Sequence, residues 1–230
     1  RIRHRGGRMK PVIIFGAGTV ARLAWRCFEE ETPYSVAAFC VDDNRHNADT
    51  FCELPVLRSS ELEARWPADA CRMFVARVYQ DLNRARQAAF EKYTALGYEL
   101  VSCISSKAVI NGGTVGKNCF VMEGAILQPF SSVEDDCICW SGCIVSHESR
   151  IGKHCFLAAH SVVGGMADIG DNTFLGMNAT VRDTVRVGKH CLVGAGSLVL
   201  ADLDDDSLVA EKATPVAACK ARQALRFIEI

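Results

Sequence analysis

The sequence predicts two units in series, an α/β domain over residues 9–105 and a parallel β-helix over residues 106–205. Two observations predict this arrangement. Strand and helix signals alternate in the first unit, and from Val109 onward an apolar residue recurs at every sixth position. Residues 1–8 form a basic segment before Met9, which we expect to be a leader or a cloning remnant. Residues 206–230 are expected to form a C-terminal tail.

The first unit shows alternating strand and helix patterns. Short apolar runs predict four strands, PVIIFGAG, SVAAFCVDD, RMFVARV and YELVSCI. A helical pattern runs from Thr19 to about Glu30, and DLNRARQAAFEKYTALG predicts a long amphipathic helix before the fourth strand. This order gives βαβ units with a mostly parallel sheet, so we expect a small Rossmann-like domain.

The second unit has a strict period of six residues. Its apolar positions are Val109, Val115, Val121, Leu127, Val133, Cys139, Val145, Ile151, Leu157, Val163, Ile169, Leu175, Val181, Val187, Val193 and Val199. Two residues before these lies a mostly small position, for example Cys119, Ala125, Ser131, Cys137, Cys143, Cys155, Ser161, Ala167, Thr173, Ala179, Cys191 and Ser197. A hexapeptide repeat is typical of a β-helix, in which three hexapeptides form one triangular coil. Side chains 18 residues apart therefore stack about 4.8 Å apart.

Composition argues against several classes of function. The formal net charge is −1, and no basic cluster follows residues 1–8, so neither nucleic acid nor an anionic membrane is an expected partner. No apolar run reaches transmembrane length and no signal peptide precedes MKPVIIFGAG, so we expect a cytoplasmic protein. The twelve cysteines contain no CxxC pair, and we expect reduced thiols. Five of them occupy the small position of the coils, where packing is the expected role.

A glycine loop follows the first predicted strand. Gly16, Gly18 and Ala21 form the G-x-G-x-x-A pattern between a strand and a helix, which suits backbone binding of a pyrophosphate. Asp42 and Asp43 end the second strand, where an acid that binds a ribose is expected. Taken alone, this pattern is compatible with NAD or with another nucleotide.

The histidines of the second unit fall into two groups. His154 and His190 occupy near-identical GKHC turns two coils apart, and we expect both to be exposed, while His160 lies on the next face. Within one chain no two of these three can share a metal ion. His147 differs, because Gly165 follows it by one coil, and a histidine beneath a glycine N–H suits a base and an oxyanion donor for acyl transfer. The alternative is a solvated turn histidine.

Residues 10–210 resemble the bacterial sugar O-/N-acyltransferase family, which includes sialic acid O-acetyltransferases and UDP-4-amino-sugar N-acetyltransferases. The matching segments are IIFGAGTVARL, VDD, LNRAR, LVSCISSKAVI and the hexapeptides with SHESRIG. The resemblance implies a left-handed β-helix, a homotrimer and acetyl-CoA as the acyl donor, without a metal.

The resemblance also implies roles for individual residues. His147 matches the catalytic base, Glu148 the acid that orients it, and Gly165 the oxyanion donor. Gly176, Met177, Gly194 and Ala195 match the groove for CoA between neighbouring β-helices. The region for a nucleotide-linked sugar matches Gly16, Gly18, Thr19, Asp42 and Asp43.

The leading hypothesis is an acetyl-CoA-dependent N-acetyltransferase acting on a nucleotide-linked amino sugar, a 4-amino-dideoxy sugar being the expected acceptor. A sugar or sialic acid O-acetyltransferase with the same base and donor is the nearest alternative. A non-catalytic trimeric scaffold or sensor and a γ-carbonic-anhydrase-like zinc enzyme are more distant. Tyr79, Asn83 and Arg86 open the long helix, and Arg86 is expected either to contact a phosphate or to lie on a solvated face.

Overall fold

The computed structural model describes residues 9–210. The predicted leader, residues 1–8, and residues 211–230 of the predicted tail lie outside the described residues. The first unit contains six strands: β1 Val12–Phe15, β2 Val36–Val41, β3 Thr50–Phe51, β4 Leu54–Arg58, β5 Arg72–Val75 and β6 Glu99–Leu100. Its helices are α1 Thr19–Glu31, α2 Leu62–Arg65 and α3 Arg84–Ala95, with short 3₁₀ turns at Asp43–Arg45 and Ser59–Glu61.

The first sheet has the strand order β3-β4-β2-β1-β5-β6. All of its pairs are parallel except the hairpin of β3 with β4. β4 was not predicted, because Pro55 stands at its second position and weakens the strand signal. Since β1 lies inside the sheet, its four residues are buried on both faces, as expected for parallel strands covered by helices.

The second unit consists of two-residue strands in three stacked parallel sheets, and this arrangement fits the left-handed β-helix. The first face holds seven strands, β7 Cys103–Ile104, β10 Phe120–Val121, β13 Ile138–Cys139, β16 Phe156–Leu157, β19 Phe174–Leu175, β22 Leu192–Val193 and β24 Leu208–Val209. The second face holds β8 Val109–Ile110, β11 Ile126–Leu127, β14 Ile144–Val145, β17 Val162–Val163, β20 Thr180–Val181 and β23 Leu198–Val199. The third face holds β9 Thr114–Val115, β12 Ser132–Val133, β15 Arg150–Ile151, β18 Asp168–Ile169 and β21 Arg186–Val187.

The six-residue period is confirmed as the inward register of these coils. From Val121 to Val199 the predicted positions are at most 3% exposed, and the mostly small positions from Cys119 to Ser197 are at most 2% exposed. The prediction is wrong for Val109, which is 54% exposed. Leu127 pairs with Ile110 rather than with Val109, so the first coil is one residue short and turns Val109 outward.

The segment YELVSCI, predicted as one strand, divides between the two units. Glu99 and Leu100 pair with β5 of the first sheet, whereas Cys103 and Ile104 pair with β10 on the first face of the β-helix. The chain therefore enters the β-helix without a long linker.

The first face of the β-helix is covered by the first unit. Phe120, Ile138 and Phe156 point outward from this face and belong to one buried cluster with Phe28 and Phe74. Each Å² of apolar surface that this contact buries contributes about 25 cal/mol to the stability of the fold. The two units therefore share a core.

Two expectations about charged residues are wrong at this interface. Arg86 is fully buried, where its Nε lies 2.8 Å from Asp136 Oδ1 and its Nη1 donates to the Val75 carbonyl at 2.6 Å. His154 is also buried, and its Nδ1 lies 2.8 Å from Asp136 Oδ2. Helix α3 packs over this corner of the β-helix. The sequence of a single coil does not indicate that a helix from the first unit buries its turn.

Candidate active site

His147 lies in the turn between β14 and β15, which joins the second and third faces. The turn is held from the coils on both sides. The His147 N–H donates to Gln128 Oε1 at 3.0 Å, and the His147 carbonyl accepts from the Met166 N–H at 2.9 Å. Glu148 has a φ of 58°, the left-handed conformation that Phe130 and Met166 also adopt one coil before and one coil after it. The backbone of His147 is thus fixed while its side chain is 53% exposed.

The imidazole of His147 lies against Gly165. A β-carbon on Gly165 would be 2.5 Å from His147 Nε2, a separation that real β-carbons do not show. The other ring nitrogen, Nδ1, lies 3.7 Å from Glu148 Oε2, which is longer than a hydrogen bond. One ring nitrogen therefore faces an acid and the other faces a bare backbone, and glycine is the residue that leaves room for the ring.

The Gly165 N–H donates to Asp183 Oδ1 at 2.8 Å. Asp183 stands one coil beyond Gly165 and two coils beyond His147, so the three residues form one column. Asp183 and Gln128 were not predicted, although each lies about one coil along the chain from Gly165 or His147, a spacing that could have indicated them. In the structure the predicted oxyanion donor is occupied by a carboxylate.

A largely apolar cavity of about 480 Å³ opens where the first and second faces meet. Trp140, Phe156 and Phe174 form a stack along one wall, and the ring of Tyr79 packs edge-on against the last two. Among the four residues predicted to bind CoA, Gly176, Met177 and Ala195 line this cavity. Gly194 lies directly next to Gly176, where a β-carbon on Gly176 would approach the Gly194 carbonyl carbon to 2.7 Å.

His147 does not line this cavity. The His147 turn joins the second and third faces, whereas the Met177 turn joins the first and second faces. The predicted base and the predicted donor groove thus lie at different corners of one chain.

A second cavity, of about 530 Å³, lies at the carboxyl ends of β1, β2 and β5. Gly16, Gly18 and Asp42 line it, as do Arg45 and Arg77. Gly16 has a φ of +126°, and a β-carbon there would lie 3.2 Å from the Ala76 carbonyl oxygen, so this position favours glycine.

Two other residues predicted for this crevice do not line it. The Asp43 carboxylate accepts from Ser59 Oγ and from the Ser60 N–H, both at 3.0 Å. Hydrogen bonding from the side chain and the backbone of Ser60, and then from Ser59, lowers the pKa of Asp43 to about 2. Asp43 thus supports the adjacent 3₁₀ turn. Thr19 is the first residue of α1 and is exposed outside the lining. Conversely, Arg77, which contacts Asp42, was missed because it follows a strand without any motif.

The remaining histidines of the β-helix are separated from one another. His160 is exposed and its ring covers Gly142, while His190 is partly exposed with Nδ1 3.7 Å from Asp206 Oδ1. Within residues 9–210, no three side chains of His, Cys, Asp or Glu converge as metal ligands. The same residues include no helix that is long and apolar enough to span a membrane.

The chain matches the family model described as bacterial transferase hexapeptide (six repeats) over residues 166–201. It is similar to the structure of PerB from Caulobacter crescentus in complex with CoA and GDP-perosamine, at 30% identity and a TM-score of 0.78, over 87% of this chain and 93% of PerB. A histidine-to-alanine variant of GDP-perosamine N-acetyltransferase from the same organism, with the same two ligands, aligns at 28% identity and a TM-score of 0.78 over the same shares.

The acetyltransferase domain of PglB from Neisseria gonorrhoeae shares the fold, at 22% identity and a TM-score of 0.77, over 90% of this chain and all of that domain. No curated protein sequence matches the chain.

Proposed function

Because the chain belongs to the bacterial sugar acyltransferase family with hexapeptide repeats, we propose that this acyltransferase moves an acetyl group from acetyl-CoA to the amine of a nucleotide-linked amino sugar. The observation that carries the proposal is the contact of the exposed His147 imidazole with Gly165, one coil further along the chain. Binding of CoA and GDP-perosamine by the similar PerB supports the choice of donor and acceptor.

His147 acts as the general base. Its Nε2 takes a proton from the acceptor amine as the nitrogen attacks the thioester carbonyl carbon. The carbon–sulfur bond then breaks, and the leaving thiolate takes the proton back from His147. Glu148, which faces Nδ1, holds the ring in the tautomer that leaves Nε2 free. This role requires the distance of 3.7 Å between them to shorten to a hydrogen bond.

Gly165 contributes in two ways. The absence of a β-carbon admits the imidazole, and its N–H is the donor for the oxygen of the tetrahedral intermediate. Because Asp183 accepts that N–H in the structure, the second role requires Asp183 to release it. A carboxylate left in place would repel the developing oxyanion.

The apolar cavity binds the acetyl end of acetyl-CoA and the sugar of the acceptor. Gly176, Met177 and Ala195 form its CoA side, with Gly194 supporting the same turn. Val78 lines both this cavity and the crevice of the first unit, so one extended acceptor can occupy both. A 4-amino-dideoxy sugar suits walls built from Trp140 and Phe156, because it carries fewer hydroxyl groups that need hydrogen-bond partners.

A second copy of the chain completes the site. His147 and Met177 lie at different corners of one β-helix, and side-by-side packing brings the corner of one chain to the groove of the next. The second face supports such packing, since its outward residues Ile126, Ile144, Val162 and Leu198 are only partly covered in the single chain. A homotrimer with closed symmetry uses this face three times.

The direct test is acetyl transfer measured by mass spectrometry. The chain is incubated with acetyl-CoA and with UDP-, dTDP- and GDP-linked amino sugars, and with the matching 4-hydroxy sugars as a test of O-acetylation. A gain of one acetyl group on an amino sugar, lost in His147→Ala, is the expected result. His190→Ala is the matched control, because its ring also lies 3.7 Å from a carboxylate on a turn. Transfer that survives His147→Ala would refute the assignment of the base.

A further inference from the structure

Arg77 lines the crevice in the first unit. It follows β5 by two residues, its guanidinium contacts the Asp42 carboxylate, and its Cζ lies 5.0 Å from the centre of the Phe15 ring. Both partners of the ion pair line the crevice, with side chains 26% and 36% exposed. The pair is thus accessible to a ligand and is not sealed in the core.

The ion pair provides a partner for the Arg77 guanidinium and for the Asp42 carboxylate, and a bound nucleotide would also provide a partner for each. A guanidinium binds a diphosphate through two parallel hydrogen bonds, and a carboxylate accepts from the two hydroxyls of a ribose. While Asp42 and Arg77 bind each other, each is closed to its ligand group. Asp42 would also repel a diphosphate that entered without a ribose, since the two negative charges share one cavity.

We propose that a nucleoside diphosphate binds by exchange, in which Arg77 leaves Asp42 for the diphosphate and Asp42 takes the ribose hydroxyls. This inference rests on the proposed function only for the location of the acceptor. The crevice offers the required space, about 530 Å³, and the backbone of Gly16 to Gly18 lines the same cavity.

The exchange makes the two halves of the ligand depend on each other. A nucleoside has no charge that draws Arg77 from Asp42, and inorganic diphosphate has no hydroxyl pair that occupies Asp42. Only the intact nucleotide satisfies both residues at once. The intact nucleotide should therefore bind more tightly, relative to the nucleoside and to inorganic diphosphate, than it would if the two contacts formed independently.

The test is titration calorimetry with guanosine, GMP, GDP and inorganic diphosphate, and with the uridine series, on the full chain. Arg77→Met is expected to weaken GDP or UDP binding about 10- to 100-fold, the loss typical of a charge-assisted pair, without weakening the nucleoside. Asp42→Asn is expected to strengthen the binding of inorganic diphosphate, because it frees Arg77, and to leave nucleoside binding nearly unchanged, because the ion pair already closes Asp42 to a nucleoside.

Controls separate this exchange from a loss of fold. Arg77→Lys keeps the charge without the planar fork and should lie between wild type and Arg77→Met. Asp69→Asn removes an exposed acid of the first unit that does not line the crevice, and should leave the affinities unchanged. All variants are compared by thermal unfolding before titration.

Three outcomes overturn the inference: equal loss of nucleoside and diphosphate in Arg77→Met, weaker inorganic diphosphate binding in Asp42→Asn, or no binding of either nucleotide series. These readouts need no catalysis. Nucleotide binding with the expected pattern but without acetyl transfer would refute the proposed function alone. Transfer to sugars that lack a nucleotide, with no binding of nucleotides, would refute the exchange alone.

Discussion

The imidazole of His147 occupies the space that a side chain on Gly165 would need, with Nε2 only 2.5 Å from the position of a β-carbon. The proposed base thus lies directly against a backbone one coil away. Its neighbours along the column, Gln128 before it and Asp183 after Gly165, hold the two turns in place. Geometry of this kind is sensitive to a single methyl group.

Gly165→Ala is expected to lower kcat about 10²- to 10⁴-fold, the full contribution of a positioned base, because the new methyl group displaces His147. The acceptor KM should change little, since no acceptor contact is altered. Steady-state kinetics with a nucleotide-linked amino sugar, together with a melting curve that shows retained fold, make the measurement. A kcat within threefold of wild type would mean that His147 does not need this position.

Asp183→Asn is expected to raise kcat about fivefold at unchanged acceptor KM. The amide oxygen accepts the Gly165 N–H more weakly than the carboxylate does, by about 1 kcal/mol, and it removes a negative charge beside the oxyanion. The measurement is kcat at saturating acetyl-CoA. If kcat falls and the melting temperature falls with it, Asp183 only holds the turn, and Gly165 is not the oxyanion donor.

Mixed trimers test whether the site lies between chains. His147→Ala removes the base, and Met177→Arg places a charged side chain in the donor groove, so each variant alone should be inactive. Random mixing should restore activity at about a quarter of the sites, where an intact His147 corner meets an intact Met177 groove of another chain. Co-refolding of the two variants followed by an activity assay gives the measurement. Mixtures as inactive as the parents would place the site within one chain.

Arg86→Met is expected to lower the free energy of unfolding by about 3–5 kcal/mol, because Asp136 then remains buried without its cation. Adding Asp136→Asn should recover part of the loss. Arg84→Met, on the exposed side of the same helix, is the matched control and should stay within about 0.5 kcal/mol of wild type. Denaturant titration of the four proteins measures these changes, and equal effects of Arg84 and Arg86 would contradict the role of the buried pair.

The coil cysteines predict a loss of stability at high pH. Burial raises the pKa of the Cys119 and Cys137 thiols well above the ordinary value of 9.0. The unfolded chain therefore loses these protons first, so their stabilising contribution is complete below about pH 9 and is lost as the pH rises further. Each such thiol adds about 1.4 kcal/mol per pH unit to the decline in unfolding free energy.

Denaturant titrations between pH 8 and pH 11 check this expectation. Cys137→Ala should be less stable at pH 8, because it leaves a cavity, yet its unfolding free energy should fall less steeply above pH 9. A slope equal to that of wild type would show that Cys137 titrates alike in the folded and the unfolded chain.

Periodicity was sufficient to predict the β-helix and its inward positions, because every coil repeats the same pattern of apolar and polar residues. The same spacing predicted that Gly165 stacks on His147, since residues 18 apart are neighbours in every coil. It failed at Val109, where a coil one residue short changes the register without any change in composition.

Tertiary packing decided what covers each element. His154 and His190 occupy matching turns, but α3 lies over His154, which is buried beside Arg86 and Asp136. Asp42 and Asp43 are adjacent acids, yet one faces the crevice and the other binds a serine turn. Local sequence sets the period and the conformation of a segment. The partner that it meets comes from a distant part of the chain, and that choice depends on the free energy of the whole packed arrangement.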